Sequence, residues 1–379
     1  MGGVAGYPHV FINQVFNIME EFDVIHFFWR EDVQHILNPE AVYRAATEFS
    51  VQPEALFDRM SRPVITSSVY DHLFLEPEHF QWRERAFNYM DGYSVASNLL
   101  DGIYRDIDLF PDPISVIPDG VDQQRFVPKA LDRLSENDRP LRVGWVGNSQ
   151  WGAHTGRDPK GVKTILDPAL ERLRSDGVAV MPHYADASVR RRNREEMEEY
   201  YSEIDVLVCA SEIEGTPNPV LEAMASGVPV VSTRVGIVPE ALGPKQNDFI
   251  LPQRSVEAMA DALRRLASDR SQLRKLSDEN LKQVKKWSWA ETTKGWPAFW
   301  AEAARRQQEG NRVPLKRHLL RERYAGWYAE NVKFRDAIRP AFGAARMKRA
   351  KQKLHMKAVD WIYRTPERAA WVNRLRGRR

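Results

Sequence analysis

Short apolar runs alternate with helical segments along most of this chain, and they come in two sets. The first set holds "FDVIHFFW" (22–29), "RPVITSSVY" (62–70), "GYSVAS" (92–97) and "ISVIP" (114–118). Helical stretches such as "PHVFINQVFNIMEE" and "PEHFQWRERAFNYM" separate them. A turn at "DGVD" and a polar, proline-containing stretch as far as Pro140 read as a linker. The second set runs through "LRVGWVG" (141–147), "VAVMPHY" (178–184), "DVLVCAS" (205–211) and "PVVST" (229–233). Its helices are "GVKTILDPALERLRSDG", the run 192–201 and "NPVLEAMASG". Strands that alternate with helices predict parallel sheets covered on both faces. Two such sets predict an α/β protein of two doubly wound domains, with ligands at the carboxyl ends of the strands.

Composition excludes several classes. The 379 residues suit two or three domains, and 43% hydrophobic with 28% charged residues is a globular balance. No run of about 18 apolar residues predicts a membrane span, and the start lacks a secretory pattern. The one cysteine, Cys209, rules out an intramolecular disulfide and a cysteine-based metal cluster. The chain is expected to be cytoplasmic.

The stretch "SEIEGTPNPVLEAMASGVPVVSTRVGIVPEAL" (211–242) is the most informative. The strand before it delivers the loop "EIEGTPNP". Gly215 permits close backbone approach, Pro217 and Pro219 stiffen the loop, and Asn218 is a good N-cap. A helix from about Pro219 to Ser226 follows, ended by Gly227. Its N-terminus favours anions. Carboxylates at Glu214 and Glu222 beside an anion site are costly unless they accept hydrogen bonds from hydroxyls, which sugars supply.

"EG-x-P", "LEAMA-x-G-x-PVV" and "G-x-x-PE" at these spacings resemble the donor-binding signature of family 4 glycosyltransferases of the GT-B fold, with Glu214 and Glu222 as its Glu-x7-Glu pair. "ISVIPDGVDQQRF" resembles the interdomain segment, where Asp119 replaces the usual Asn. "RVGWVG" followed by "DPKG" resembles the first strand and phosphate loop of the nucleotide domain. The resemblance covers most of 22–300. It implies two Rossmann-like domains facing a cleft: an acceptor domain at 1–125, a nucleotide-sugar donor domain at 126–286 and a crossover helix at 287–305. A basic helical extension occupies 306–379.

The resemblance also implies roles. Glu214 would bond the donor sugar, with Gly215, Thr216, Pro217 and Asn218 supplying backbone groups. Val220 and Leu221 would belong to the same donor site, and Glu222 would hold the ribose. Lys160 would sit on the diphosphate. Relatives carry an Arg soon after the first strand's glycine; Asn148 stands there, so Arg157 is the substitute candidate. On the acceptor side relatives place a His at the end of the strand matching "RPVITSSVY". Here the strand runs into Tyr70, Asp71 and His72, and Asp71 and His72 are the expected cleft residues. His26 reads equally as a structural histidine. Gly2 and Gly3 resemble the loop that closes over the donor phosphates. In relatives a strand precedes that loop; here only Met1 does, and the expectation is either a true start farther upstream or a reduced N-terminal domain. "DID" (106–108) reads as a solvated turn, and no catalytic metal or cofactor is expected.

From Ala304 onward 22 lysines and arginines face 6 acidic residues, so an acidic body carries a basic tail. Trp287, Trp289, Trp296 and Trp300 before it read as packing residues. Basic helices with aromatic residues fit an anionic membrane surface, a solvated extension or, less well, nucleic acid. The resulting expectation is a retaining transferase that moves sugar from a nucleoside diphosphate sugar to a lipid-linked or surface glycan, at the inner face of the membrane. The alternatives are a non-catalytic nucleotide-sugar or glycan-binding subunit, and a transferase acting on modified DNA.

Overall fold

The computed structural model of the protein describes residues 21–72, 77–153 and 156–333, with 19 and 357 in isolation. The expected helix at 8–21, Gly2, Gly3 and most of the basic tail lie outside them. The chain divides into two compact units. The larger, residues 24–33 and 64–312, contains both sheets.

The first sheet has four strands, β1 (Val24–Phe27), β2 (Val64–Val69), β3 (Gly92–Val95) and β4 (Ser115–Val116). They lie side by side in chain order, all parallel. Helix α1 (Arg30–Ile36) follows β1, and the smaller unit contributes α2 (Pro39–Phe49) and α3 (Pro53–Ser61). Helices α4 (Pro77–Tyr89) and α5 (Asn98–Arg105) connect the later strands. Successive side chains point to opposite faces of a strand. Tyr93 of β3 packs with Phe87 of α4 and Tyr104 of α5. Gly92 faces the other way, toward Ala303. That second face is polar or small: His26 bonds Thr66 Oγ1 (3.0 Å) and Ser68 Oγ (3.1 Å), and Ser68 reaches Ser94 (3.3 Å).

The second sheet is β5 (Leu141–Gly147), β6 (Val180–Asp186), β7 (Val206–Cys209), β8 (Val230–Thr233) and β9 (Ile250–Leu251), in the order β6-β5-β7-β8-β9 and all parallel. Its helices are α6 (Asp167–Ser175), α7 (Arg194–Tyr200), α8 (Asn218–Ala225), α9 (Val256–Ser268) and α10 (Ser271–Gln283). Val206 and Val208 pack in one core with α6 and α9, Leu207 and Cys209 in another with α7 and α8. Near-continuous apolar strands are what burial on both faces requires. The stretch read as a linker is instead strapped to this domain. Arg133 is buried and donates to Ile204 O (2.7 Å) and Tyr201 O (2.9 Å), and Arg139 forks onto Asp205 (2.7 and 2.8 Å).

The chain then returns. Val121 N–H donates to Trp287 O (2.8 Å), so outgoing and returning segments touch. Helix α11 (Trp296–Glu309) covers the small face of the first sheet. Trp296, Phe299 and Trp300 ring His26, with centroids 4.8–6.2 Å from it. His26 is therefore a structural histidine, and burial pushes its pKa down to about 4. Trp287 packs in the second domain, but Trp289 stands exposed, against expectation, because only its backbone is pressed against Gly120.

The smaller unit pairs α2 and α3 with α12 (Arg312–Tyr328), the described start of the basic tail. Tyr324 packs on Phe57 and Trp327 on Tyr43. Lys316 is fully buried and donates to Pro63 O (2.8 Å), and Arg317 pairs with Asp58. This part of the tail packs one face of its helix and leaves the other in solvent.

Candidate functional site

In the second sheet the strand order reverses between β5 and β7, and ligands of open α/β sheets bind outside the carboxyl ends at such a point. The loop after β5 brings Trp151 and Lys160 there, and the loop after β7 brings Ile213, Glu214, Gly215 and Thr216. Opposite lie the loops at the carboxyl ends of the first sheet: Phe28 and Trp29 after β1, Tyr70 and Asp71 after β2, and Asp119 beyond β4. Together with Asn218 they line one cavity of about 440 Å3.

The turn "DPKG" is organised by its aspartate. The Asp158 carboxylate accepts from the N–H groups of Gly161 (3.0 Å), Lys163 (2.8 Å) and Thr164 (2.9 Å). Gly161 has φ of 70°, and a Cβ there would lie 2.2 Å from Ala210 O, so only glycine lets the two loops close. Arg254 binds both, donating to Ala210 O (2.9 Å) and Asp158 O (2.7 Å). The result places Lys160 Nζ 2.5 Å from Glu214 Oε1, which also accepts from Ser211 Oγ (2.7 Å). The Trp151 ring lies beneath the same ammonium, 5.0 Å from its centroid. Sequence reasoning missed Arg254 and Trp151, because neither belongs to a motif.

A second network crosses the cavity. The Tyr70 hydroxyl bonds the Asp119 carboxyl. Asn218 Nδ2 donates to Asp119 Oδ2 (3.4 Å), and Asp119 N–H donates to Thr216 Oγ1 (3.0 Å). Burial raises the pKa of Asp119; burial, then the Asp119 charge, raises that of Tyr70. A Cβ on Gly215 would sit 2.4 Å from Tyr70 O, so glycine is what allows the loop after β7 to touch the first domain. Glu240, of the "G-x-x-PE" motif, adds a clasp. It accepts from Asn98 N (3.1 Å) and Nδ2 (2.6 Å), at the N-terminus of α5.

The expected residues divide. Lys160, Glu214, Gly215, Thr216, Asn218 and Asp71 line the cavity. Asn218 is not an N-cap: Pro217 holds that place, and the Asn218 amide turns to Asp119. Glu222 lies on α8 outside the lining, its carboxyl raised by burial and accepting from Tyr201 Oη (2.5 Å). Val220 and Leu221 are core residues, and the Val220 N–H is taken by Pro217 O (2.8 Å), because that side of α8 faces the sheet. Arg157 is exposed and paired with Glu212 (2.7 Å), outside the lining. Asp71 is held by the buried Arg30 guanidinium (2.8 Å). His72 does not line the cavity; its Nδ1 is buried without a hydrogen-bond partner, and burial lowers its pKa. Phe28, Trp29, Tyr70 and Asp119 were not expected there. Position at a strand's carboxyl end was the available signal. The "DID" turn is solvent-exposed, and the described residues hold no cluster of three His, Cys, Asp or Glu able to bind a metal.

Residues 121–269 match the family model of glycosyl transferases group 1. The chain is 27% identical over 209 residues to the MMP alpha-(1->4)-mannosyltransferase of Mycolicibacterium hassiacum, covering 52% of this chain and 50% of that one. It is 26% identical over 297 residues to the lipopolysaccharide core biosynthesis mannosyltransferase LpsB of Rhizobium meliloti, covering 70% and 78%. The chain thus spans about half the length of the first of these relatives. Among solved structures it is similar to Anabaena HepE in complex with UDP and glucose, with a TM-score of 0.56 and 13% identity over 79% of this chain and 83% of that one. The fold of this chain is GT-B, the two-domain architecture of glycosyltransferases, and its second domain carries the group 1 sequence pattern.

Proposed function

We propose that the protein is a family 4, retaining glycosyltransferase. It takes a nucleoside diphosphate sugar as donor and a lipid-linked or surface glycan as acceptor. The observation that carries this reading is the Lys160–Glu214 pair, at the switch point of the second sheet and facing the carboxyl ends of the first across one cavity. Lys160 and the N-terminus of α8 offset charge on the departing diphosphate. Glu214 accepts from sugar hydroxyls once Lys160 turns to the phosphates, and Glu222 accepts from the ribose. At the sugar carbon the bond to the diphosphate oxygen breaks, the bond to the acceptor oxygen forms on the same face, and the acceptor proton is released. No metal is assigned a step, since Lys160 supplies the cation.

The relatives named as mannosyltransferases and the UDP in HepE support a UDP- or GDP-sugar. The cavity around Tyr70 and Asp71 counts against a binding subunit without catalysis. The basic composition of 306–379 supports attachment to an anionic membrane surface. No described helix is long and apolar enough to cross a membrane. The test is release of UDP or GDP from a panel of donors by the purified chain, with Glu214→Ala beside it. Release from one donor, lost in the variant, is expected. No release and no nucleotide binding by calorimetry would overturn the reading.

A further inference from the structure

We infer that Trp29, flanked by Phe28, is the platform on which the acceptor lies, and that the acceptor presents a pyranose ring to it. This rests on the glycosyl-transfer reading and names the substrate class of its second site. Phe28 and Trp29 are 63% and 54% exposed, side by side, immediately after the buried Phe27 of β1. Exposed aromatic surface at the rim of a polar cavity marks a ligand site. The two residues line the wall opposite Lys160 and Glu214, and Trp151, 40% exposed, stands on the donor side.

The platform is held in place. The Trp29 ring lies 5.6 Å from that of Tyr70, and the Tyr70 hydroxyl is fixed on Asp119. Beside the aromatic face stand the Asp119 carboxyl, the Asn218 amide and the Thr216 hydroxyl, all lining the same cavity. An aromatic face next to a few fixed hydrogen-bonding groups is complementary to a pyranose. The C–H groups of the ring meet the negative face of the indole while its hydroxyls reach the polar groups. An acyl chain would displace water from those polar groups and offer them no hydrogen bond in its place. An anionic headgroup would need a cation on this wall, and Arg30 there is committed to Asp71.

The test uses the full chain and methyl and octyl pyranosides of mannose, glucose and N-acetylglucosamine. Saturation-transfer NMR in the presence of UDP or GDP should label the ring protons of at least one methyl pyranoside. For the glycoside bound, Trp29→Ala should raise the acceptor KM about tenfold with a smaller change in kcat, and Trp29→Tyr should recover most of it. Phe28→Ala, at a more exposed position, gives the same readout if Trp29→Ala does not fold. Saturation confined to the octyl chain, binding of no methyl pyranoside, or an unchanged KM in both alanine variants would each overturn the inference. Donor hydrolysis by the unmodified chain separates this failure from that of the transfer reading: nucleotide release without pyranoside binding sinks only the platform.

Discussion

The second sheet is covered on both faces by helices that its own strands lead into, whereas one face of the first is covered by α11, which arrives after the second domain is complete. Yet both sheets use the same device at their amino ends. Asp91 precedes β3; its N–H donates to Ile65 O (2.7 Å) and its carboxylate accepts from Ile65 N (2.8 Å). Asp205 precedes β7 and does the same with Arg142, at 2.9 and 2.8 Å. The counter-charges differ in origin. Asp205 is held by Arg133, Arg139 and Arg270, while Asp91 is held by Arg312 (3.0 Å) and Gln307 (3.3 Å), which belong to the returning segment. The second domain closes on itself; the first is finished by the chain's return.

The sharpest test removes each carboxylate. Asp205→Ala leaves three arginines beside an empty buried site and should cost about 3–5 kcal/mol in urea unfolding. Asp91→Ala should cost somewhat less. Hydrogen exchange should place the loss in β5–β7 for the former and β2–β3 for the latter. If both variants loosened both sheets equally, the two halves would be one cooperative body and the comparison would fail.

Lys160→Ala tests the proposed chemistry instead. Donor turnover should fall about 10²–10³-fold, the scale of one lost electrostatic contact to developing charge, while thermal melting stays unchanged. A third effect separates the halves by pH. His26 is neutral in the fold with its pKa lowered from 6.5 to about 4, so the unfolded chain binds more protons between those values. Its contribution is intact above pH 6.5 and is lost as pH falls toward 4, up to about 3 kcal/mol. Acid titration followed by hydrogen exchange should loosen β1 and β2 before β7 and β8, and His26→Gln should flatten that difference. The smallest effect belongs to the join. Tyr70→Phe removes the bond to Asp119 and should cost about 1 kcal/mol, read as a small drop in melting temperature with a higher apparent pKa for Asp119 by NMR, because the hydroxyl favours the carboxylate.

How much of this was legible in the sequence follows the same division. "LRVGWVG" is β5 to the residue, and the loops that carry Lys160 and Glu214 were legible because each continues from its own strand; that the two side chains pair across 54 positions was not. The small polar face of β2 gave no hint of its cover, since His26 and Trp296 are joined only by the fold. Nor could the sequence show Tyr70 against Asp119, or Glu240 on Asn98 across 142 positions. Val220 and Leu221 illustrate the opposite error: a motif read as one site mixes residues that face the ligand with residues that hold the helix down.

The return of α11 also sets an order of events in the cell. β4 leaves the ribosome at Val116, but the helix that covers its sheet ends at Glu309. At roughly 5–20 residues per second, the nascent first sheet waits roughly 10–40 s with one face uncovered. Its Ser, Thr and Gly residues there are a face that can stand in water without inviting aggregation. The small polar face that α11 covers is thus suited to a domain that must wait to be completed.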